Sequence, residues 1–431
     1  ISYPEMYRVS QRFERPRVDD IPATVQAELG RLRLADRIRP GDSVAVTAGS
    51  RGIANIAEII HGIVTHLKSI GAAPFIVPAM GTHGGGTADG QRGIVEDYGM
   101  TEEYLGCPIR ATMETVVVCH TPEGVPVHFD RYAYEADHVF VANRVKPHTG
   151  FVGDIESGLM KMMLIGLGKH AGATIYHRAI HDFSFGQIVR SVASKVLKEC
   201  KIAGGLAIVE NGYDETAKLE AVAPEDFETR EKELLKLAKQ WMPRLPFDRV
   251  DVLILDEIGK DISGAGMDTN VVGRKYLDHR AAEHETPKVK MICIRDLTEA
   301  TRGNAAGVGM AEFCTSRVVE KLDRKKTQIN CLTGGHPVGA MIPVELPNDR
   351  EMLDAALGNN GLTAPDDARI LRVKNTLQLA EVECSAAYWD EAQGRDDLEI
   401  VVPLRSLAFD DAGNLPSLES AAGIAAEAET G

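Results

Sequence analysis

Residues 42–81 read DSVAVTAGSRGIANIAEIIHGIVTHLKSIGAAPFIVPAMG. Residues 44–46 form a short apolar run of the kind that makes a buried strand, and this run ends at Gly49. Residues 53–70 carry apolar side chains at helical spacing and stop at Gly71, after which APFIVPAMG predicts another strand. The stretch therefore predicts a strand, a helix and a second strand within a parallel sheet.

The same pattern of a strand followed by a loop recurs along the chain. HVFVANRV at 138–145 leads into the loop KPHTGFVGD, and GGLAIVENGY at 204–213 repeats the pattern. A charged helix predicted over 225–239 is followed by WMPRLPFD, whose two prolines resist helical continuation. New apolar strands begin after this point, which we interpret as a domain boundary. They cover residues 250–259, 288–297 and, as a pair, 368–385.

This organisation predicts two α/β domains with a cleft between them and a largely parallel sheet in the first. We expect an N-terminal domain over residues 1–245, a smaller C-terminal domain over 246–405 and a tail over 406–431. The last thirteen residues, 419–431, lack bulky apolar side chains after Ile424, so we expect the end of the tail to fray.

Composition excludes several classes of protein. The chain has 431 residues, more than one hydrophobic core usually organises, and 44% hydrophobic with 26% charged residues is typical of a soluble globular protein. The 48 basic residues against 63 acidic ones give a net charge of −15, which disfavours binding to nucleic acid or to anionic membranes. Seven cysteines without a CxxC pair indicate free thiols in a reducing cytoplasm.

In open parallel sheets the ligand crevice lies beyond the carboxyl ends of the strands, so we expect functional residues in the loops that follow the strands. In TAGSRG, Ser50 and Arg51 stand at a predicted helix N-terminus, where backbone N–H groups and a guanidinium can hold a carboxylate or phosphate. In MGTHGGGTADG, His83 is followed by three glycines, which allow backbone to approach a ligand closely. A plain helix cap and a flexible turn are the alternative interpretations.

The loop after the third strand and the residues that follow it concentrate basic side chains. These are His148, Lys161, Lys169, His170, His177 and His181. Four of the thirteen histidines fall here, where composition alone predicts about one. Lys161 lies in the apolar run SGLMKMMLIGLG, where a buried ammonium is costly unless it is paired or used chemically. A snorkelling or salt-bridged lysine is the alternative.

His177 differs from its neighbours because it lies on a predicted helix just after a glycine-rich loop, from which an imidazole can bind a metal. We expect His170 and His181 to be surface or capping residues. The chain has no HExxH or CxxC zinc signature. Residue patterns alone thus predict a pocket with several histidines, one buried lysine and an anion-holding arginine, and they leave the reaction open.

Taken together, these motifs resemble the nickel-dependent lactate racemase family, whose members interconvert the stereoisomers of 2-hydroxy acids. The resemblance covers most of the predicted N-terminal domain. Its matching pieces are TAGSR at 47–51, GTHGGG at 81–86, NRVKPH at 143–148, SGLMK at 157–161, and His177 sixteen positions beyond that lysine.

The resemblance implies a nickel pincer nucleotide, which is nickel bound to pyridinium-3-thioamide-5-thiocarboxylic acid mononucleotide. By match to the motifs, Lys161 would carry the covalent tether, and His177 would supply the fourth nickel ligand beside two sulfurs and a carbon. Ser50 would contact the cofactor and Arg51 the substrate carboxylate. The implied partners are a 2-hydroxy acid and the proteins that build the cofactor.

Two acid/base histidines are also implied, and His83 and His148 match them. Removal of hydride from C2 leaves a flat 2-keto acid that can be attacked on either face. The hydroxyl proton must leave together with the hydride, and an imidazole serves as the base near neutral pH. The two enantiomers present their hydroxyls on different sides, which explains why two histidines are needed.

The chain departs from the family pattern at two positions and in one interval. Ala48 and Met160 replace an acidic residue and an arginine, and the interval from His148 to Lys161 is a few residues longer. These changes lie around the substrate and the cofactor phosphate and argue against lactate itself. The open glycine and small polar residues around the pocket would suit a larger 2-hydroxy acid, such as a sugar acid. In the second domain, GKDISGAGMDTN at 259–270 offers cofactor contacts from Lys260, Asp261, Ser263 and Asn270, unless it is a glycine-rich loop with caps.

Two other functions remain open at this level. A zinc-dependent hydrolase or lyase could use the same histidines as direct metal ligands. A relative without cofactor could bind an anionic metabolite between its domains. The sequence does not predict the oligomeric state.

Overall fold

The computed structural model describes residues 2–50 and 52–418. The strands, in chain order, are β1 Met6–Gln11, β2 Ser43–Ala48, β3 Ala73–Pro78, β4 Thr115–His120, β5 Pro126–Asp130, β6 His138–Arg144, β7 Ile202–Glu210, β8 Thr216–Val222, β9 Arg249–Leu255, β10 Lys288–Ile294, β11 Phe313–Thr315, β12 Val344–Leu346, β13 Ile370–Val373, β14 Glu381–Ser385 and β15 Leu398–Arg405.

The α-helices are α1 Ile21–Arg31, α2 Ile56–Ser69, α3 Ala88–Asp97, α4 Glu102–Leu105, α5 Arg131–Glu135, α6 Gly158–Lys161, α7 Lys169–Asp182, α8 Phe185–Glu199, α9 Phe227–Trp241, α10 Thr269–Val272, α11 Ser316–Lys321, α12 Arg324–Thr333, α13 Asp349–Gly358 and α14 Trp389–Gln393. Among residues 2–50 and 52–418, no helix is long and apolar enough to cross a membrane.

The chain divides into two compact units. Residues 14–242 form the N-terminal unit, and residues 2–13 together with 243–418 form the C-terminal unit. Both units are α/β, which confirms the predicted fold class.

The N-terminal unit is built on a five-stranded sheet in the order β3-β2-β6-β7-β8. The first four strands are parallel, and β8 returns antiparallel to β7. Alternate side chains of β2 enter two different cores. Ala45 packs with apolar residues of α8 and α9, whereas Val44 and Val46 pack with those of α1 and α2. The sheet is therefore covered on both faces, and the strands predicted at its centre are confirmed.

This topology places the candidate motifs. From β2 the chain passes to β3 on one side of the sheet and later to β6 on the other side. Because the three strands are parallel, the loops that follow them leave from one edge of the sheet. A reversal of strand order at such an edge is where open α/β sheets bind ligands. Ser50, His83 and His148 all lie in these loops.

The C-terminal unit contains an eight-stranded sheet in the order β12-β11-β10-β9-β13-β14-β1-β15. The strands from β12 to β13 are parallel, and β14, β1 and β15 are antiparallel to their neighbours. The start of the chain thus supplies an inner strand here. Arg8 of β1 is buried in this sheet and pairs with Glu383 at 3.3 Å. Residues 2–13 therefore belong to the C-terminal unit, although the residues that follow them in the chain belong to the N-terminal unit.

Part of the predicted tail is packed. Leu415 is buried in the core of the C-terminal unit, and its N–H donates to Asp349 at 2.8 Å. Residues 419–431, for which we predicted fraying, lie outside the described residues. All seven cysteines are described, and each is a free thiol, as the sequence predicted.

Candidate functional site

The loops after β2 and β3 bring Ser50 and His83 together. The Ser50 hydroxyl is hydrogen-bonded to Nδ1 of His83, and the Tyr98 hydroxyl donates to the carbonyl of Ser50 at 3.2 Å. Hydrogen bonding at Nδ1 fixes the orientation of an imidazole. Neither contact is visible in the sequence, where Ser50 was predicted only as a cap or cofactor contact. Arg51, the predicted substrate-binding residue, lies outside the described residues.

The glycines after His83 have different roles. Gly84, Gly85 and Gly86 have φ values of 65°, 67° and 66°, a left-handed conformation that favours glycine. A Cβ at Gly84 would lie 2.6 Å from the backbone of Gly90, so this glycine is required for packing against α3. Gly85 is exposed, and a Cβ there would meet nothing within 4 Å. Close packing therefore explains one glycine and leaves another open to a ligand.

His148 is held by the backbone of its own loop. Its Nδ1 accepts hydrogen bonds from the N–H groups of Gly150 and Phe151, both at 2.9 Å. Its own N–H donates to Glu156 at 2.8 Å. An imidazole whose Nδ1 accepts two hydrogen bonds carries the proton of its neutral form on Nε2. In this arrangement His148 presents Nε2–H as a hydrogen-bond donor.

Phe151 is the centre of the candidate site. Its ring stacks on His148 and on Phe185, with 4.1 Å between ring centroids in each case. The Lys161 ammonium lies 5.3 Å from the centre of the same ring, a cation–π contact, and the His177 ring lies 5.8 Å away. One aromatic ring thus gathers three of the predicted residues. Sequence reasoning gave it no role, although an aromatic residue inside the lengthened interval before Lys161 was a usable signal.

Lys161 ends the short helix α6, which continues into a π-helical turn over Met162–Gly166. Such turns are rare and frequently occur at functional sites. The apolar neighbours Met160 and Met162 are buried, whereas Lys161 itself is only half-buried. The prediction that Lys161 is buried is therefore wrong. Its side chain lies against the face of an aromatic ring and does not enter the core.

A buried carboxyl group from another helix binds the backbone at the start of α6. Glu231 of α9 accepts hydrogen bonds from the backbone N–H groups of Leu159 and Met160, the latter at 3.1 and 3.2 Å. Its side chain is 2% exposed, and burial raises its pKa to about 8. The folded protein therefore binds a proton at Glu231 between about pH 4.5 and 8, a range in which the unfolded chain does not.

We expect Glu231→Gln to flatten the dependence of stability on pH. Because the pKa is raised in the folded state, the wild type loses free energy of unfolding as pH rises from 5 to 8, by about 3 kcal/mol relative to the variant. A glutamine oxygen still accepts the same two N–H groups. Urea unfolding of both proteins at pH 5, 6, 7 and 8 measures this difference. If the free energies of unfolding of the two proteins changed with pH in parallel, the prediction would be contradicted.

His177 lies on α7 and is a neutral ligand-type imidazole. Burial lowers its pKa to about 4, with further contributions from the positive charges of Lys161 and His181. The imidazole is therefore neutral at neutral pH, and its one unprotonated ring nitrogen can bind a metal. His170 and His181, expected at the surface, are exposed.

The fully buried lysine of this unit is Lys169, the first residue of α7. Its ammonium donates to the carbonyl of Pro78 and to Gln91 Oε1, both at 2.6 Å, and lies 3.5 Å from the carboxylate of Asp130. Burial lowers the pKa of Lys169 and raises that of Asp130 to about 6. Sequence reasoning noted Lys169 without a role and missed its three partners, which lie far away along the chain.

Residues 11–184 match the family described as the lactate racemase N-terminal domain. The chain carries a lactate racemase N-terminal domain. This confirms the family resemblance seen in the motifs. The matched stretch of the lactate racemase domain includes Ser50, Arg51, His83, His148, Lys161 and His177.

The overall fold is also similar to that of a solved lactate racemase. The structure of the lactate racemase apoprotein from Thermoanaerobacterium thermosaccharolyticum matches with a TM-score of 0.51 and 12% sequence identity. The match covers 85% of this chain and 94% of the other. At this identity the likeness shows the fold alone. No curated protein matches the chain.

The predicted residues of the C-terminal unit lie outside the matched lactate racemase domain. The Lys260 ammonium donates to Gly264 and to Asn330, the latter at 3.0 Å, and Asp261 accepts from Thr298 at 2.5 Å. The side-chain amide of Asn270 donates to Asp268 at 2.9 Å. These contacts support the alternative interpretation of residues 259–270 as a glycine-rich loop with local caps.

Packing requires the glycine at position 266 of this loop, whereas the local contacts do not explain the burial of Ser263. A Cβ at Gly266 would lie 2.2 Å from the carbonyl of Ala306. Ser263 differs from its neighbours, because its hydroxyl is buried and has no hydrogen-bond partner among residues 2–50 and 52–418. Its role in cofactor binding stays a prediction.

A large open cavity of the N-terminal unit lies elsewhere. Its volume is about 710 Å³, and its lining contains five acidic residues and one basic residue among Arg17, Val18, Asp19, Asp20, Ile21, Pro22, Asn55, Glu58, Asp214, Glu215 and Thr216. None of the predicted site residues lines it. Because carboxylates repel an anionic substrate, we place the candidate site at the His148, Lys161 and His177 cluster instead.

Direct metal binding by several side chains finds no support in the described part of the chain. Within residues 2–50 and 52–418, no group of three or more His, Cys, Asp and Glu side chains is placed to hold one ion. A structural or catalytic zinc site normally needs at least three protein ligands. The zinc hydrolase or lyase alternative therefore gains no observation in its favour.

Proposed function

We propose that this protein is a racemase or epimerase that inverts C2 of a 2-hydroxy acid with a nickel pincer nucleotide tethered to Lys161. One observation carries the proposal: the Lys161 ammonium and the His177 imidazole lie against the same aromatic ring, that of Phe151, and His148 stacks on it. An amine for a tether, an imidazole for a metal and an imidazole for acid/base chemistry therefore lie within one cluster.

The residues present fit this cofactor by their chemistry. Lys161 is half-buried, so its amine is accessible to a reactive group. His177 is neutral at physiological pH, and a neutral imidazole beside soft sulfur donors suits Ni(II). The π-helical turn after Lys161 and the carboxyl group of Glu231 before it hold the lysine in place. When bound, the pincer group supplies the acceptor and donor of the hydride at C2.

The protein's own task is to move the hydroxyl proton. One histidine accepts this proton from the substrate, and the other supplies a proton to the keto oxygen when the opposite face reacts. In its neutral form His148 carries its proton on Nε2, from which it can donate a hydrogen bond to the substrate oxygen. His83 is oriented by Ser50 on the other loop. To accept the hydroxyl proton at Nε2, His148 must carry its own proton on Nδ1 and so release the two backbone N–H groups that bind there. The imidazolium formed in this way supplies the proton in the reverse direction.

Two buried side chains favour a substrate other than lactate. Ala48 is 1% exposed and Met160 is 3% exposed, so the positions that the family resemblance assigns to charged residues are apolar and inaccessible here. An anionic substrate must therefore be held by other groups, of which Arg51 is the one that the matched motif provides. We propose a larger 2-hydroxy acid, such as a sugar acid, and a partnership with the proteins that build the cofactor.

The test is production of the protein together with cofactor-building enzymes. We expect a mass increment located on Lys161 and one nickel per modified protein. We also expect at least one acid to lose optical purity in a panel of single-enantiomer 2-hydroxy acids from lactate to sugar acids. A folded protein without the increment and without nickel would sink the proposal. Isomerisation of lactate as the best substrate would overturn the substrate class alone.

A further inference from the structure

We infer that Lys169 and Gln91 are positioning residues that hold the His83 loop against the start of the helix bearing His177. This inference rests on the proposed function for its catalytic meaning. Its geometry rests on a buried network that joins β3, α3, β5 and α7.

The network fixes both ends of the His83 loop. The Lys169 ammonium donates to the carbonyl of Pro78, the last residue of β3, at 2.6 Å. It also donates to Gln91 Oε1 at 2.6 Å, and the amide nitrogen of Gln91 donates to the carbonyls of Gly81 and His83 at 2.9 and 3.2 Å. Every polar atom of the Gln91 side chain is thus used to tie the loop to the ammonium.

The network costs free energy of folding, which indicates that it does more than fill space in the core. Lys169 and Gln91 are both 0% exposed, and a buried ammonium is expensive unless it is paired. Lys169 also has a φ of 55°, a left-handed conformation that non-glycine residues rarely adopt. Its partner Asp130 is itself held, since one carboxylate oxygen caps α5 at Ala133 and its backbone N–H donates to Leu167 at 2.7 Å.

The position of Lys169 gives the network its consequence. Lys169 is the first residue of α7, and His177 lies eight residues further along the same helix, roughly 12 Å by helical rise. One ammonium therefore connects the loop that carries a proposed acid/base group to the helix that carries the proposed nickel ligand. Neither Lys169 nor Gln91 is proposed to touch the substrate. They act through His83.

Two substitutions at position 91 separate the contacts. Gln91→Leu removes the bonds to the loop and to Lys169, whereas Gln91→Glu keeps an acceptor for Lys169 and loses the donor to Gly81 and His83. Gln26→Leu is a matched control in the same unit, because Gln26 also donates to a backbone carbonyl, that of Gly62 at 2.9 Å, and accepts from a side-chain nitrogen, that of His66 at 3.0 Å.

The first measurement is hydrogen exchange by mass spectrometry on protein without cofactor. We expect amides of residues 80–87 to exchange at least about tenfold faster in both Gln91 variants and at wild-type rate in Gln26→Leu, because opening of a loop follows its lost contacts. Should the Gln91 variants fold and exchange these amides like the wild type, the inference is overturned.

The second measurement is steady-state kinetics of the loaded enzymes. We expect kcat to fall at least about tenfold in both Gln91 variants with little change in KM, since misplacement of an acid/base group acts on the transition state. Faster exchange with unchanged kcat would overturn the positioning role. A wild type that takes no cofactor and isomerises nothing would overturn the proposed function instead, and the exchange experiment keeps the two failures apart.

Discussion

Lys161→Arg is expected to abolish covalent loading and to lower isomerisation by at least about 10³-fold, because the cofactor carries the difficult chemistry. The substitution keeps a positive charge and can keep the cation–π contact with Phe151. A guanidinium remains protonated in proteins and offers no nucleophilic amine. The loss would therefore report on the tether itself and not on charge or packing.

The measurement is intact mass and peptide mapping of protein produced with cofactor-building enzymes, followed by chiral analysis of product. Lys198→Arg serves as the control, since Lys198 is an exposed lysine of the neighbouring helix α8 with 76% of its side chain accessible. Retention of the mass increment in Lys161→Arg would place the tether on another lysine and contradict the assignment.

His177→Gln is expected to reduce bound nickel at least about tenfold and isomerisation by about 10³-fold, while the mass increment of the organic part remains on Lys161. A glutamine of similar length offers a hard amide oxygen in place of an imidazole nitrogen, which binds Ni(II) beside sulfur poorly. Its neutral amide preserves the uncharged state that burial imposes on His177. Metal analysis and peptide mapping on the same preparation separate the two effects.

His181→Gln is the matched control for this change. It lies one turn further along α7 and is exposed, and its electrostatic effect helps to lower the pKa of His177. We expect wild-type nickel content from it. Equal loss of nickel in both variants would show that the helix tolerates neither substitution, and normal nickel in His177→Gln would remove His177 from the metal site.

The central strands and helices of the N-terminal unit are predictable because their signals are local. Apolar runs such as 44–46 predict strands, and the helical spacing of 53–70 predicts α2, which begins and ends within three residues of the expected limits. The first strand of the chain was not predicted. The burial pattern of β1 alternates little, and the strand contains the buried Arg8. The cost of burying this guanidinium is offset by carboxylates some 370 residues away and by the carbonyl of Leu418.

Part of the candidate site is predictable from motifs. The order of the loops placed Ser50, His83 and His148 at one edge of the sheet, and the helical setting of His177 was correct. The burial of the lysines was not. Lys161 sits among apolar residues yet is half-exposed, whereas Lys169, flanked by glycine and histidine in the sequence, is fully buried.

The sequence by itself determined the parallel α/β architecture and the loops that carry the reactive side chains. Periodicity and glycine positions act over a few residues, and strand ends set the loop positions. Only the tertiary structure decided which ring gathers Lys161 and His177, which lysine enters the core, and which groups hold His83. Those outcomes depend on contacts between residues such as Gln91 and Lys169, 78 positions apart. No local pattern encodes them, because burial and hydrogen bonding are settled only when distant segments pack together.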